Sequence, residues 1–207
     1  MTLITIRQAD AADVQEQAIF QAVVSFDHGP EHQISLQDPF DAQQEELLEW
    51  YFEQHLHFPF TDQETASQAA KSITEYGEKL FGQVFPEGLQ RFYGRALAHG
   101  PAGVTFEILG SPAFHRLHWE ALKDPNLPRP FALEAPMLRK NLEPCEVEAV
   151  MQPSPTLNIL VVTARPQGRR DVGYRTITRP LVEALGQTTV PVRIDILRPG
   201  SYKALTE

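Results

Sequence analysis

Leu157-Asn158-Ile159-Leu160-Val161-Val162-Thr163 decides the fold class. Its apolar residues run almost without a break, the pattern of a parallel strand covered on both faces. A loop of glycines and arginines follows, then a helical pattern near Thr176–Leu185, then a second strand at Val192-Arg193-Ile194-Asp195-Ile196-Leu197. Strand, helix and strand at this spacing predict a βαβ unit with parallel strands and a right-handed crossover. Two strands alone do not make a stable sheet, so the unit calls for further strands and helical cover. After it, Pro199-Gly200-Ser201 reads as a turn with an N-cap, and Tyr202–Glu207 as the opening of a helix. Helix nucleation is unfavourable by a factor of about 10⁻³, so six residues are marginal. The expectation is a chain cut shortly after its core begins.

Upstream, the chain alternates between strand and helix signals. Residues 19–26 suit a strand, Asp27-His28-Gly29-Pro30 a turn, and His32–Leu36 a second strand of a hairpin. Asp41 and Gln44 have capping-box spacing, and Leu47, Leu48, Tyr51, Phe52 and Leu56 form one face of a helix ending before Pro59. Thr61 and Glu64 suggest a second capping box, ahead of a helix whose apolar face runs through Ala66, Ala69, Ala70, Ile73, Leu80, Phe81 and Val84. Pro86 sits near the start of a third helix that Gly100-Pro101 terminates. Beyond Gly103 the period shortens to two, and Val104, Phe106 and Ile108 mark a half-buried strand. His115–Leu122 suits a short helical turn and Phe131–Arg139 another strand. The class is α/β, with helices laid on a mixed or parallel sheet.

The 207 residues suffice for a core of one or two domains. Net charge is −9, but residues 1–100 carry −11 and residues 101–207 carry +2. Such an acidic half repels polyanions, which makes nucleic acid a poor partner. No apolar run reaches the roughly 18–20 residues of a membrane span, and the N-terminus has no signal-peptide pattern. The single cysteine, Cys145, rules out an internal disulfide framework, and a cytoplasmic location is expected. Of the 17 prolines, 13 lie after residue 100, densest from Pro125 to Pro155, a stretch of extended connections.

Leu117-His118-Trp119-Glu120-Ala121-Leu122-Lys123-Asp124-Pro125, followed by Pro130-Phe131-Ala132-Leu133 and Arg139, resembles the N-terminal portion of CHAT domains. These are caspase-like modules in the cysteine-peptidase clan that also holds separase and gingipain. Members commonly show Leu-Pro-Trp-Glu-x-Leu-x-Asp-Pro, a hydrophobic strand and an arginine. A variable linker then leads to a strand like Leu157–Thr163 and a loop and helix like Gly168–Leu185. His118 stands where the family usually has proline. The likeness spans roughly residues 18–207, with Glu49–Tyr51 and the following helices fitting the family's helical region.

The resemblance implies a caspase-like fold, with residues 1–150 as its N-terminal helical and strand region and residues 151–207 as the start of its βαβ core. It implies peptide-bond hydrolysis through a covalent acyl-enzyme in the complete protein, with a histidine activating a thiolate and backbone N–H groups holding the oxyanion. His-Gly occurs at His28-Gly29 and His99-Gly100, both ahead of the βαβ core, and no Asn-Ala-Cys-like context is present; family order places the catalytic His-Gly and the cysteine after Glu207. No catalytic residue is therefore expected here, and the chain alone should be inactive. The implied partners are a peptide or protein substrate and a helical-repeat sensor module. No metal or organic cofactor is implied.

Residue chemistry narrows the remaining candidates. Cys145 lies between Glu143 and Glu146, and flanking acids raise a thiol pKa rather than activate it. The pairs His115/His118 and His28/His32 each lack the third and fourth ligands of a zinc site, while His55 and His57 diverge on a helix. Arg165, Arg169, Arg170, Arg175 and Arg179 cluster at the C-terminal end of the first βαβ strand and the start of its helix, where open α/β folds bind ligands. A solvated basic loop that offsets the acidic half is the more ordinary account of this cluster, since surface charge is usually just that. In caspases the loop after the first strand gives an arginine to the pocket for an acidic side chain. By resemblance Arg169, Arg170 and Arg175 are the substrate-pocket candidates, since a guanidinium fork suits a carboxylate. A nucleotide-phosphate role is weaker, because Gly168 and Gly173 form no phosphate-binding fingerprint. Trp119 reads as core and Glu120 as the local partner of an arginine. The rival to the peptidase reading is a non-enzymatic α/β interaction or regulatory domain that docks through its acidic helical half.

Overall fold

A computed structural model describes residues 1–9, 19–142, 154–163 and 174–206. The chain divides into two compact units, Met1–Leu48 with Asp62–Glu146, and Glu49–Thr61 with Val147–Glu207. Both are built of α/β elements.

The first unit is organised on β1 (Thr2–Gln8), which pairs antiparallel with β2 (Phe20–Phe26) and parallel with β4 (Val104–Gly110). β3 (His32–Leu36) extends the β2 side antiparallel, and β5 (Met137–Asn141) extends the β4 side parallel. The order is β3-β2-β1-β4-β5, a mixed sheet. The hairpin at 19–36 and the strand at 104–110 match the sequence expectation. The central strand does not, because Thr2–Gln8 has no long apolar run; only Ile4 and Ile6 point into the core. The strand expected at Phe131–Arg139 begins later. Phe131–Leu133 forms a 3₁₀ turn that buries the Phe131 ring, and pairing with β4 starts at Met137.

One face of the sheet is apolar and carries the core. Ile4, Ile6, Val24, Leu36, Val104, Phe106 and Ile108 are buried against α2 (Gln63–Val84), through Tyr76, Leu80, Phe81 and Val84, and against Tyr93 and Ala96 of α3 (Gln90–Ala96). Each fully buried Ile or Leu contributes roughly 1.5–3 kcal/mol. Cross-strand partners share a face, so Thr5, Arg7, Val23, Ser25 and Glu107 lie together on the opposite side.

The helix ends show which capping signals form. At α1 (Ala42–Glu53) the Gln44 N–H donates to Asp41 Oδ1 at 2.9 Å, and the Asp41 N–H donates to Gln44 Oε1 at 3.1 Å. The reciprocal pair read from sequence is present. The Thr61/Glu64 box is not. Asp62 takes the cap position at φ 50° with no side-chain cap bond, and the Thr61 hydroxyl is spent on the Phe58 carbonyl at 3.3 Å. Along α2, Ala70 turns outward, while Tyr76 and Gly77 take buried positions.

In the second unit β6 (Leu157–Val162) and β7 (Val192–Leu197) pair in parallel, from Leu157↔Val192 to Val162↔Leu197, with α4 (Tyr174–Leu185) between them in sequence. The βαβ unit is therefore as expected. Its coverage is not: only Val161 of β6 is buried, while Leu157, Leu160 and Val162 are about half exposed. An unbroken apolar run records a strand suited to burial on both faces; it does not supply the cover. Among the described residues this sheet has two strands, and the earlier strands form their own. Ser201 Oγ accepts the Ala204 N–H at 3.2 Å and so caps α5 (Tyr202–Thr206). Among the described residues no helix is long and apolar enough to cross a membrane.

Candidate functional site

The segment Leu117–Pro125 leaves β4 through two 3₁₀ turns, Phe114–Arg116 and Trp119–Ala121. Leu117, Trp119 and Leu122 are buried, and the Trp119 indole N–H donates to the Phe114 carbonyl at 3.0 Å. The aromatic ring at 119 is thus core, as its apolar setting implies. Glu120 stays at the surface and binds Arg139 on β5, with Nε at 3.0 Å from Oε1 and Nη2 on the second oxygen. Arg139 also donates to the His115 carbonyl, so one guanidinium ties both turns to the sheet edge. Burial pulls the Glu120 carboxyl up, but the Arg139 hydrogen bonds and charge outweigh it and hold the group below its ordinary range. The Trp-Glu and Arg elements of the motif are therefore a brace.

The end of the motif is a second fastening. Asp124 is buried; it accepts the Tyr93 hydroxyl on Oδ2, and the Asn126 backbone and side-chain N–H groups on Oδ1 at 2.8 and 3.0 Å. Neighbouring Lys123 reaches Glu78 of α2 at 2.6 Å. Burial, then the Asp124 hydrogen bond and charge, push the Tyr93 phenol well above its usual value.

Sequence reasoning did not find the third cluster. His118 Nε2 lies 2.9 and 3.2 Å from the two Glu45 carboxylate oxygens, and the His118 backbone N–H donates to Tyr76 Oη at 3.0 Å. Phe40 and Tyr76 meet the imidazole edge-on. Glu45 and His118 are 73 positions apart, so no local spacing announces the pair. Burial first, and the Asp38 and Glu45 carboxylates after it, raise the Tyr76 phenol, partly opposed by the His118 N–H bond.

The predicted histidine pairs have separate partners. His115 Nε2 is 3.0 Å from the Lys140 carbonyl, while His118 faces Glu45. His28 is exposed on its turn and His32 packs on Phe92. His55 stacks on Tyr51, and the His57 side chain lies outside the described residues. Among the described residues no group of three or more His, Cys, Asp or Glu side chains is placed to hold a metal ion.

Of the arginine cluster, Arg165, Arg169 and Arg170 lie outside the described residues, as does Cys145. Arg175 is placed by its backbone in the first turn of α4, its side chain also outside them. Arg179 points to solvent and pairs with Glu183 one turn on, at 2.7 Å. The cluster's frame is described: β6 ends at Val162, and buried Thr163 follows it, its hydroxyl without a hydrogen-bond partner among the described residues. The strand's C-terminal end and the start of α4 bound the place where an open α/β sheet takes a ligand. Compared with protein-family models, curated proteins and solved structures, the chain matches none.

Proposed function

We propose that this chain supplies the N-terminal portion of a CHAT-type, caspase-like cysteine peptidase, which lacks the His–Cys dyad and is inactive alone. The observation that carries the reading is the β6–α4–β7 unit. It is a parallel strand–helix–strand module whose strands have open outer edges among the described residues and half-exposed apolar side chains. Parallel strands are stable when covered on both faces and extended by neighbours, and a core with the dyad would supply both. The Trp119–Glu120–Arg139 brace adds support, because it gives the resembling residues a scaffolding task that needs no nucleophile.

In this reading the first unit is scaffold, and the loop after β6 lines the substrate pocket. Arg169, Arg170 and Arg175 are its candidate contacts, suited to a carboxylate side chain of a peptide or protein substrate. The dyad thiolate would attack the scissile carbonyl, the C–N bond would break as the dyad histidine protonates the leaving amine, and water would hydrolyse the resulting acyl-enzyme thioester to release the acid and the thiolate. A helical-repeat module is the proposed sensor partner, and the location proposed is cytoplasmic. No cofactor enters the reaction.

The test is a protein extended through the reading frame that follows Glu207. An electrophilic peptidyl probe for active-site thiols should label the extended protein at one cysteine and leave the 207-residue chain unlabelled. A stop codon directly after Glu207, or an extended protein that the probe does not label, overturns the peptidase reading and leaves the interaction domain.

A further inference from the structure

Among the described residues β3 is an edge strand of the first unit's sheet. The Gln21 carbonyl of β2 accepts the Ala9 N–H at 2.8 Å, so Gln21 and its alternates bond toward β1. Phe20, Ala22 and Val24 therefore bond toward β3, opposite Leu36, Ile34 and His32. The backbone N–H and C=O groups of Gln33, Ser35 and Gln37 are left pointing away from the sheet. Those of Gln37 are met by α2: Gln83 Oε1 accepts its N–H at 2.6 Å, and Gln83 Nε2 donates to its carbonyl at 3.1 Å. One side-chain amide thus stands where the backbone of a further strand would. The outward groups of Gln33 and Ser35 have no hydrogen-bond partner among the described residues. Beside them lies a groove of about 390 Å³, with Gln33, Ile34 and Ser35 along the strand and Gly82, Gln83 and Pro86 at the end of α2. None of its lining residues is charged. A Cβ at Gly82 would meet nothing within 4 Å, so no contact among the described residues calls for glycine in this helix, and its effect is to keep the groove open.

The two edges of this sheet differ in chemistry. β5 carries Arg139 and Lys140, cations of the kind that deter strand addition, whereas β3 has no Lys, Arg, Asp, Glu or Pro. We infer that the β3 edge is a docking site for an extended, uncharged segment of a partner polypeptide, which adds to the sheet as a further strand. Backbone geometry selects this occupant. Free donors and acceptors two residues apart, roughly 7 Å, match the repeat of a strand, whereas a helix spends its own internally. A charged segment would give up its hydration in the groove and meet no opposite charge there. The incoming residue opposite Ile34 shares its face of the sheet, where Gly82 leaves room for an apolar side chain. A second copy fits less well. The two-fold register that joins Gln33 of one copy to Ser35 of the other sets Gln37, already held by Gln83, opposite Glu31. The inference stands apart from the peptidase reading, since it involves neither the arginine loop nor the dyad.

The experiment pans a display library of random linear peptides on the full chain. Enriched peptides should share an uncharged core rich in β-branched and apolar residues. The best of them is then synthesised with N-methyl groups walked along its backbone. Methylation should abolish binding at alternate residues and spare those between, the period of strand pairing. Ser35→Pro removes an outward N–H and leaves the bonds to β2, which run through His32, Ile34 and Leu36; it should weaken Kd about tenfold or more. Gly82→Lys fills the groove without touching the strand and should weaken Kd as much, while the thermal midpoint stays at or above the parent's, because lysine suits a helix better than glycine. Leu138→Ser, on the opposite edge strand, should leave Kd unchanged. No enrichment, enriched cores that are charged, N-methyl sensitivity without the period of two, or binding indifferent to Gly82→Lys overturns the inference. So does a dimer of the parent in sedimentation that Gly82→Lys dissociates, since a second copy would then be the occupant.

Discussion

Gly77 sits in the middle of α2, where glycine costs roughly 1 kcal/mol relative to alanine. Its reason is contact. A Cβ there would lie 1.8 Å from the Ala121 carbonyl oxygen, and the Lys123 N–H donates to the Gly77 carbonyl at 3.2 Å. Helix and motif backbone meet at van der Waals distance only because no side chain intervenes. Gly82 shares the helix, yet a Cβ there meets nothing within 4 Å. The two positions should respond with opposite signs. Gly77→Ala should destabilise by about 3 kcal/mol through overpacking, and Gly82→Ala should stabilise by about 0.5–1 kcal/mol through helix propensity. Urea unfolding midpoints at constant m-value measure both. The helical period identifies α2, but it cannot distinguish these glycines, because what crowds Gly77 comes from a segment more than forty residues further on.

At the scale of elements, the signals that were legible are those completed within a few residues. The Asp41–Gln44 cap, the alternation in β4 and the parallel order of β6 and β7 are of this kind. β1 was missed because its place depends on β4, with Thr2 opposite Val104 a hundred positions away. The Glu120–Arg139 pair was legible as a local partnership, whereas its role in tying two turns to β5 needed the fold. That role predicts an acid response. A carboxyl held below its ordinary range contributes stability above its unfolded pKa and loses it as pH falls through the folded one. The thermal midpoint should therefore fall as pH drops below about 4.3, the reference value for Glu. Arg139→Gln should shrink that fall by removing the charge that favours the ionised form. A melting profile with the same pH slope in both proteins would show that Glu120 gains nothing from Arg139.

At the scale of the whole molecule the two units differ in what secures their strands. β1 is paired on both sides, its Ile4 and Ile6 are fully buried, and the same core holds α2 and the Leu117–Leu122 turns. Among the described residues β6 and β7 each have one partner, and β6 buries only Val161. The candidate site shares this division. Its frame was readable as a βαβ pattern, while of the candidate arginines Arg169 and Arg170 lie outside the described residues and Arg175 is placed by its backbone alone. Stability should follow burial and pairing, since local opening is easiest where few apolar contacts and open edges hold the backbone. Hydrogen exchange read by mass spectrometry should show β6 and β7 amides exchanging ahead of β1 and β4 in native buffer. In rising denaturant the second unit should open in a separate, earlier step. The same measurement on the chain extended past Glu207 bears on the proposed function through a different physical quantity from catalysis. Strands that gain neighbours on their open edges should slow to the rate of β1, whereas β6 and β7 amides that exchange as fast as before would mean the added residues do not complete this sheet.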